Sequence, residues 1–325
     1  MVRGPARTRP GEADMTRTAD PTGTQHELRS PDGRATASVT QVGASLRGFT
    51  VDGVDLVPRY PLGTPAPAAS GVVLVPWPGR VRDGRWSQRG ETRQLAITEP
   101  QTGNASHGLL RFGAYTATAQ EEASVTLAAT VFPQTGYPFQ LDTEVTYAVS
   151  GMTLTATHRI TNVGPFDAPI ALGTHPYLCI GDVSTADLEV RGSGATRFFF
   201  DDQKIPISQG PVDAPTDLRG GRRVGDVDLD MAYSSLARDA DGLVRTSLTA
   251  PDGRRLTLWQ GEGFDYLQVF TTDRYPGQPL AIAIEPMTAP GEALNSGLGL
   301  RWLAPGETWE LQWGLRFEDA AAVRP

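Results

Sequence analysis

Leu141-Asp142-Thr143-Glu144-Val145-Thr146-Tyr147-Ala148-Val149, followed after Ser150-Gly151 by Met152-Thr153-Leu154-Thr155-Ala156-Thr157-His158-Arg159-Ile160-Thr161, decides the fold class. Apolar and polar side chains alternate along both runs, the period of a strand with one face buried, and Ser150-Gly151 between them is a turn. Working outward, similar runs recur at 124–132, 188–190, 196–200, 266–271, 280–284 and 308–317, and no amphipathic helix interrupts them. Towards the N-terminus, Ala35-Thr36-Ala37-Ser38-Val39 and residues 46–51 are punctuated by Pro31-Asp32-Gly33-Arg34 and Val51-Asp52-Gly53, which predicts hairpins. The tetrapeptide Pro-Asp-Gly-Arg returns at 251–254 with different flanks, so it is reused turn chemistry and not a repeat unit. With 36 Gly and 26 Pro in 325 residues spread along the chain, no linker divides it. The sequence predicts an all-β fold, one large antiparallel β-sandwich over residues 25–317. A polar leader over 1–24, with almost nothing to bury, is expected to be disordered, and 318–325 form a C-terminal tail. The polar stretch 201–230 reads as a long loop of the kind that carries function.

Composition narrows the partners. A net charge of -8 disfavours a non-specific grip on nucleic acid or an anionic membrane, both of which need clustered positive charge. No stretch is apolar for long enough to cross a bilayer, and the N-terminus lacks the apolar segment of a signal peptide, so a cytoplasmic protein with a small neutral ligand is expected. Cys179, the only cysteine, is flanked by Leu178 and Ile180 and reads as a buried, inert thiol. Lys204 is the only lysine among 29 basic residues, so any Schiff-base chemistry would depend on it alone.

Four histidines can each be weighed. In Gly173-Thr174-His175-Pro176-Tyr177 the residue before proline is pushed out of the helical region, so His175 should stand extended at a strand end, as a proton donor or as a packed core histidine. His107 precedes Gly108, where a missing side chain lets another group approach closely. His26 at the first strand and His158 read as structural or surface residues, His158 on a solvated face. Glu285 closes the apolar run Leu280-Ala281-Ile282-Ala283-Ile284 directly before Pro286, and a carboxylate there must be paired, open to a cleft or raised in pKa. Asp230 lies in an acidic segment. Arg80, in Pro76-Trp77-Pro78-Gly79-Arg80, is a hydrogen-bonding fork or a surface charge, and Trp77 a stacking platform or a core residue. There is no phosphate loop, no nucleophile elbow and no close His or Cys pair, so phosphate-cradling, serine-nucleophile and zinc chemistries are poorly supported. A dispersed metal site built from His107, His175 and a carboxylate is the alternative.

Taken in order, Arg80-Val81-Arg82-Asp83-Gly84-Arg85-Trp86, His107-Gly108, His175-Pro176-Tyr177, Asp230, Glu285-Pro286-Met287-Thr288 and Ala304-Pro305-Gly306-Glu307 resemble the aldose 1-epimerase (galactose mutarotase) family over nearly all of residues 25–317. The resemblance implies a large sandwich with an open sugar cleft on a concave sheet and cofactor-free interconversion of α and β anomers; free aldohexoses are the expected substrates and a monomer or weak homodimer the expected state. By the same resemblance Glu285 would be the general base at the C1 hydroxyl, His175 the general acid at the ring oxygen and His107 a hydrogen-bonding neighbour. Arg80 and Asp230 would hold hydroxyls. Gly79 stands where many relatives carry Asn, and Met231 where others carry His. A hexose-6-phosphate epimerase would need a basic pocket, for which Arg82, Arg85 and Arg111 are the candidates. A sugar-binding sandwich without turnover is the reading from another class.

Overall fold

The computed structural model describes residues 20–319. Of the expected leader, residues 1–19 lie outside the described part, and residues 20–24 are ordered. The carboxylate of Asp20 accepts from the Thr22 backbone at 2.8 Å and from its hydroxyl at 2.6 Å, and Thr22 is buried. At the other end the last strand, Thr308–Glu318, takes in the first residue of the expected tail.

Almost everything between is antiparallel sheet. A nine-stranded sheet runs in the order Thr116–Gln120, Ser124–Val131, Leu141–Ser150, Thr153–Asn162, Thr308–Glu318, Arg255–Gln260, Val244–Thr249, Glu189–Arg191 and Arg222–Arg223. An eight-stranded sheet runs from Pro206–Pro211 through Thr196–Phe200, Asp230–Ser234, Tyr266–Thr272, Ala281–Met287 and Gly173–Thr174 to Val73–Leu74, with Tyr177–Leu178 paired onto Ala281–Met287. A four-stranded sheet is formed by Gln25–Arg29, Ala35–Thr40, Leu46–Val51 and Val54–Val57. One apolar cluster joins all three, from Val39 and Phe49 through Val145, Tyr147 and Trp313 to Val269 and Ile284. Among the described residues the single α-helix is the four-residue Ala293–Ser296.

The two Pro-Asp-Gly-Arg turns have the same construction. Each closes a hairpin, Gln25–Arg29 with Ala35–Thr40 and Val244–Thr249 with Arg255–Gln260. In both, the Asp carboxylate accepts from the Arg backbone two residues on, and the Gly stands in the left-handed region, at φ 73° for Gly33 and 91° for Gly253.

Two expectations need correction. The stretch 201–230 is not one loop, because Pro206–Pro211 is an edge strand hairpinned onto Thr196–Phe200 and Arg222–Arg223 edges the other sheet. The proline at each end of Pro206–Pro211 disguises it, and an edge strand tolerates proline because one side of its ladder is free. His158 is buried and not solvated. It shares the parity of Leu154, Ala156 and Ile160, all on the core face, and there its Nε2 accepts the indole N–H of Trp313 at 3.0 Å. Burial pushes its pKa down to about 3.

Candidate active site

The strand Ala281–Met287 lies inside the eight-stranded sheet and is buried at every residue. On one side two short strands pair with it in a single register, Gly173 opposite Met287 and Tyr177 opposite Ala283. Pro176 has no N–H to give the ladder, so the pairing breaks between them and His175 falls in the gap, opposite Glu285. On the other side Gln268 is opposite Glu285 and Phe270 is opposite both Ala283 and Asp230. Because side chains alternate across a strand, Asp230, Gln268, Phe270, Glu285, Met287 and His175 all point to the same face.

That face floors a cavity of about 560 Å³, counting the part open to solvent, whose walls include Gly79, Arg80, His107, Phe200, Lys204 and Gly291. His175 Nε2 lies 3.4 Å from Glu285 Oε1. The His107 and His175 rings meet edge to face at 5.6 Å, and His175 stacks on Tyr177 at 5.3 Å. His107 takes a left-handed backbone, φ 62°, and its Nδ1 accepts the Gly79 N–H at 3.2 Å, which leaves Nε2–H as the free donor. Gly108 lets this happen: a side-chain carbon there would come within 2.1 Å of the Val75 carbonyl oxygen.

Burial governs the protonation of all three groups. It pushes Glu285 well above the usual carboxylate range, reinforced by the Asp230 charge and opposed by Arg80. It lowers His175 to about 4 and His107 well below an ordinary imidazole, the neighbouring His175 adding to the latter.

The polar wall is held from behind. Arg80 Nε and Nη2 donate to the two oxygens of Glu99 at 2.6 and 2.9 Å, and Thr102 donates to the same carboxylate at 2.8 Å. Burial alone would raise Glu99, and the Arg80 fork more than offsets it, so its pKa is lowered. Asp230 accepts from Gln268 Nε2 at 2.8 Å and has Lys204 Nζ at 3.4 Å. Lys204 sits at φ 61° in the hairpin turn 201–205, where Asp201 Oδ1 accepts from the Gln203 and Ile205 backbones at 3.0 Å. Arg82 clamps that turn through Asp201 and Gln203, and Asn104 donates to the Gln203 carbonyl.

The structure therefore brings together His107, His175, Glu285, Arg80 and Asp230 from the sequence-predicted set. Trp77 is not among them: it is 1% exposed, packed on Tyr137 in the core, and does not line the cavity. At Gly79 a side-chain carbon would come 2.8 Å from Gly291 Cα, so backbone fills the room an Asn would need. Sequence reading missed Gln268 and Lys204, which line the cavity, and Glu99, which braces Arg80 from behind. Gln268 was within reach, being a polar residue of cavity-facing parity beside Glu285, whereas Glu99 and Lys204 arrive from loops. Among the described residues no group of three or more His, Cys, Asp or Glu could hold a metal ion, and no helix is long and apolar enough to cross a membrane.

The nearly all-β antiparallel sheets have the galactose mutarotase-like fold. The sequence matches the Aldose 1-epimerase family over residues 25–316, and the chain belongs to that family. The uncharacterized protein YihR of Escherichia coli K12 is 30% identical over 278 residues, 85% of this chain and 88% of that one. The GalM/aldose epimerase homologue from C. elegans superposes with a TM-score of 0.79 at 18% identity, over 92% of this chain and 99% of that one. The galactose 1-epimerase from Lactobacillus acidophilus NCFM gives 0.73 at 19%, over 89% and 92%. At such identities the two superpositions speak for the fold.

Proposed function

We propose that the protein is a cofactor-independent aldose 1-epimerase acting on free aldohexoses such as D-galactose or D-glucose in the cytoplasm. The observation that carries this reading is the opposition of His175 and Glu285 in one cavity, 3.4 Å apart, on a floor otherwise suited to a pyranose. Opening the ring requires one proton removed from the C1 hydroxyl and one delivered to the ring oxygen, and rotation about C1–C2 with reclosure exchanges the anomers.

The pair supplies both with a single exchangeable proton. Burial favours neutral Glu285 beside neutral His175. Moving the proton across to His175 gives a carboxylate base and an imidazolium acid without changing the net charge. Glu285 then takes the C1 hydroxyl proton while His175 protonates the ring oxygen, and closure reverses both transfers. His107 offers Nε2–H near the ring oxygen. Arg80, braced by Glu99, and Asp230, braced by Gln268 and Lys204, hold hydroxyls away from the reacting carbon.

The hexose-6-phosphate reading has less support. Arg82 is committed to Asp201 and Gln203, Arg85 donates to Gln94, Arg111 lies over the Phe112 ring, and none of the three lines the cavity. Against a binding module without turnover, two histidines and a raised carboxyl are more than hydroxyl recognition needs. The test is polarimetry on freshly dissolved α-D-glucose and α-D-galactose in dilute buffer. A protein-dependent approach to the same final rotation is expected. Rates equal to the blank for both sugars and for hexose 6-phosphates would leave the binding-module reading.

A further inference from the structure

The wall that carries Arg80 and His107 is a small sheet of its own. Among the described residues Arg80–Val81 pairs only with Ala105–Ser106, and the Gly79 carbonyl accepts the His107 N–H at 2.8 Å. Alternation along an extended chain sends the Arg80 carbonyl and the Arg82 N–H to the other edge, and Glu292 takes both. Its backbone N–H donates to the Arg80 carbonyl at 2.6 Å, and its Oε2 accepts the Arg82 N–H at 2.7 Å. Asn295 Nδ2 donates to the other oxygen of that carboxylate and to the Arg85 carbonyl. One residue thus stands in for a strand. To reach both groups Glu292 adopts a left-handed backbone, φ 62°, which costs any residue with a side chain and which glycine would occupy freely. The carboxylate itself does not line the cavity.

We propose that Glu292 is a positioning residue, whose carboxylate locks the wall carrying Arg80 and His107 onto the strand carrying Glu285. The inference rests on the acid–base reading of the cavity. Glu292 follows the Glu285 strand, and the chain between them is fixed at Thr288, which donates its N–H to the Leu172 carbonyl at 2.8 Å and accepts the Leu172 N–H on its hydroxyl at 2.9 Å. Gly291 lies on the cavity wall and meets Gly79 closely, a side-chain carbon on Gly79 falling 2.8 Å from the Gly291 Cα. Glu99 therefore holds the guanidinium of Arg80, and Glu292 holds its backbone. Without the carboxylate the Arg82 N–H loses its acceptor, and one backbone bond alone keeps this edge in register. Gly79 then shifts, and with it the His107 ring whose Nδ1 accepts its N–H. A misplacement of about 1 Å can cost about 10²-fold in rate, so a fraction of that shift is enough to be read. Backbone strain kept at a residue whose side chain makes these bonds is what a positioning role requires.

The test separates position from stability, because the left-handed backbone lets the two be moved apart. Glu292→Gly and Glu292→Ala both delete the carboxylate, but only glycine sheds the strain, so Glu292→Gly should melt at a higher temperature than Glu292→Ala. Both are expected to lower kcat/KM for glucose mutarotation by about tenfold, with KM raised through Arg80 and kcat lowered through His107, and Glu292→Gln, which keeps an acceptor of the same length, to recover most of the loss. The proposal is overturned if Glu292→Gly keeps the wild-type kcat/KM or fails to fold. It is also overturned if activity follows melting temperature, with Glu292→Gly more active than Glu292→Ala, or if Glu292→Gln is no better than Glu292→Ala. Should the protein mutarotate nothing, the affinity for methyl β-glucoside is read by titration calorimetry. A loss of about tenfold in Glu292→Gly that Glu292→Gln restores would then refute the epimerase and uphold the clamp.

Discussion

His175 and Glu285 occupy directly opposed positions of one antiparallel register, 3.4 Å apart at Nε2 and Oε1, although 110 residues separate them in sequence order (285 − 175). If this pair moves the protons, Glu285→Gln should lower the mutarotation rate by about 10²–10⁴-fold while the sugar still binds. Polarimetry with a parallel titration of methyl galactoside reads both, and rates near wild type would remove Glu285 from the base role.

The pH dependence follows from burial. His175 titrates at about 4 in the folded protein, so the one-proton state of the pair persists as pH falls through the ordinary imidazole range. The kcat/KM profile is expected to stay flat from pH 7 to pH 5 and to fall as pH drops towards about 4. A limb centred near pH 6.5, the ordinary imidazole value, would contradict the buried, depressed His175.

Glu99 touches no part of the cavity floor but fixes the Arg80 fork. Glu99→Gln keeps the shape and removes the charge, so KM should rise by about tenfold, equivalent to about 1.4 kcal/mol, with kcat little changed. An equal fall in kcat would mean that Arg80 acts on the reacting centre and not on remote hydroxyls.

Gly108→Ala should displace the Val75 carbonyl or the His107 backbone, since the added carbon would lie 2.1 Å from that oxygen. Gly53→Ala is the control, with a left-handed φ of 81° but nothing within 4 Å of its added carbon. The control should cost about 1 kcal/mol of stability with activity intact, and Gly108→Ala considerably more, together with loss of activity. Thermal melts and polarimetry on the two proteins check it.

His158 makes the fold acid-sensitive. Its pKa is about 3 when folded against an ordinary 6.5, so its contribution to stability is fully present above pH 6.5 and is lost as pH falls towards 3. His158→Gln retains an acceptor for the Trp313 indole, and its melting temperature should drop less between pH 7 and pH 5 than that of the wild type. Identical drops would place the acid sensitivity in other groups.

The all-β class and most strands were legible because alternation is local, and the Leu141–Ser150 and Thr153–Asn162 pair shows it plainly. Pro206–Pro211 was not, since its prolines mimic a loop until the neighbouring strand gives the edge a reason. His107, His175, Glu285, Arg80 and Asp230 could be singled out by residue type, by their proline and glycine neighbours and by their ordered resemblance to a family. What sequence could not supply was their partners: Glu99 behind Arg80 and Lys204 beside Asp230 are brought in by loops whose paths depend on tertiary contacts. Trp77 and His158 failed for a shared reason, that a polar or aromatic side chain on a strand can face either way and only the packed sheets decide.

Lys204, the chain's only lysine, stands half-exposed at the rim of the cavity. Apart from the terminal amine, any amine-directed reagent therefore has one side-chain address on this protein, and that address overlooks the sugar site. A fluorophore or isotopic methyl group attached there would report occupancy of the cavity from a single known position. Immobilisation through surface amines would instead tether the molecule by its own mouth.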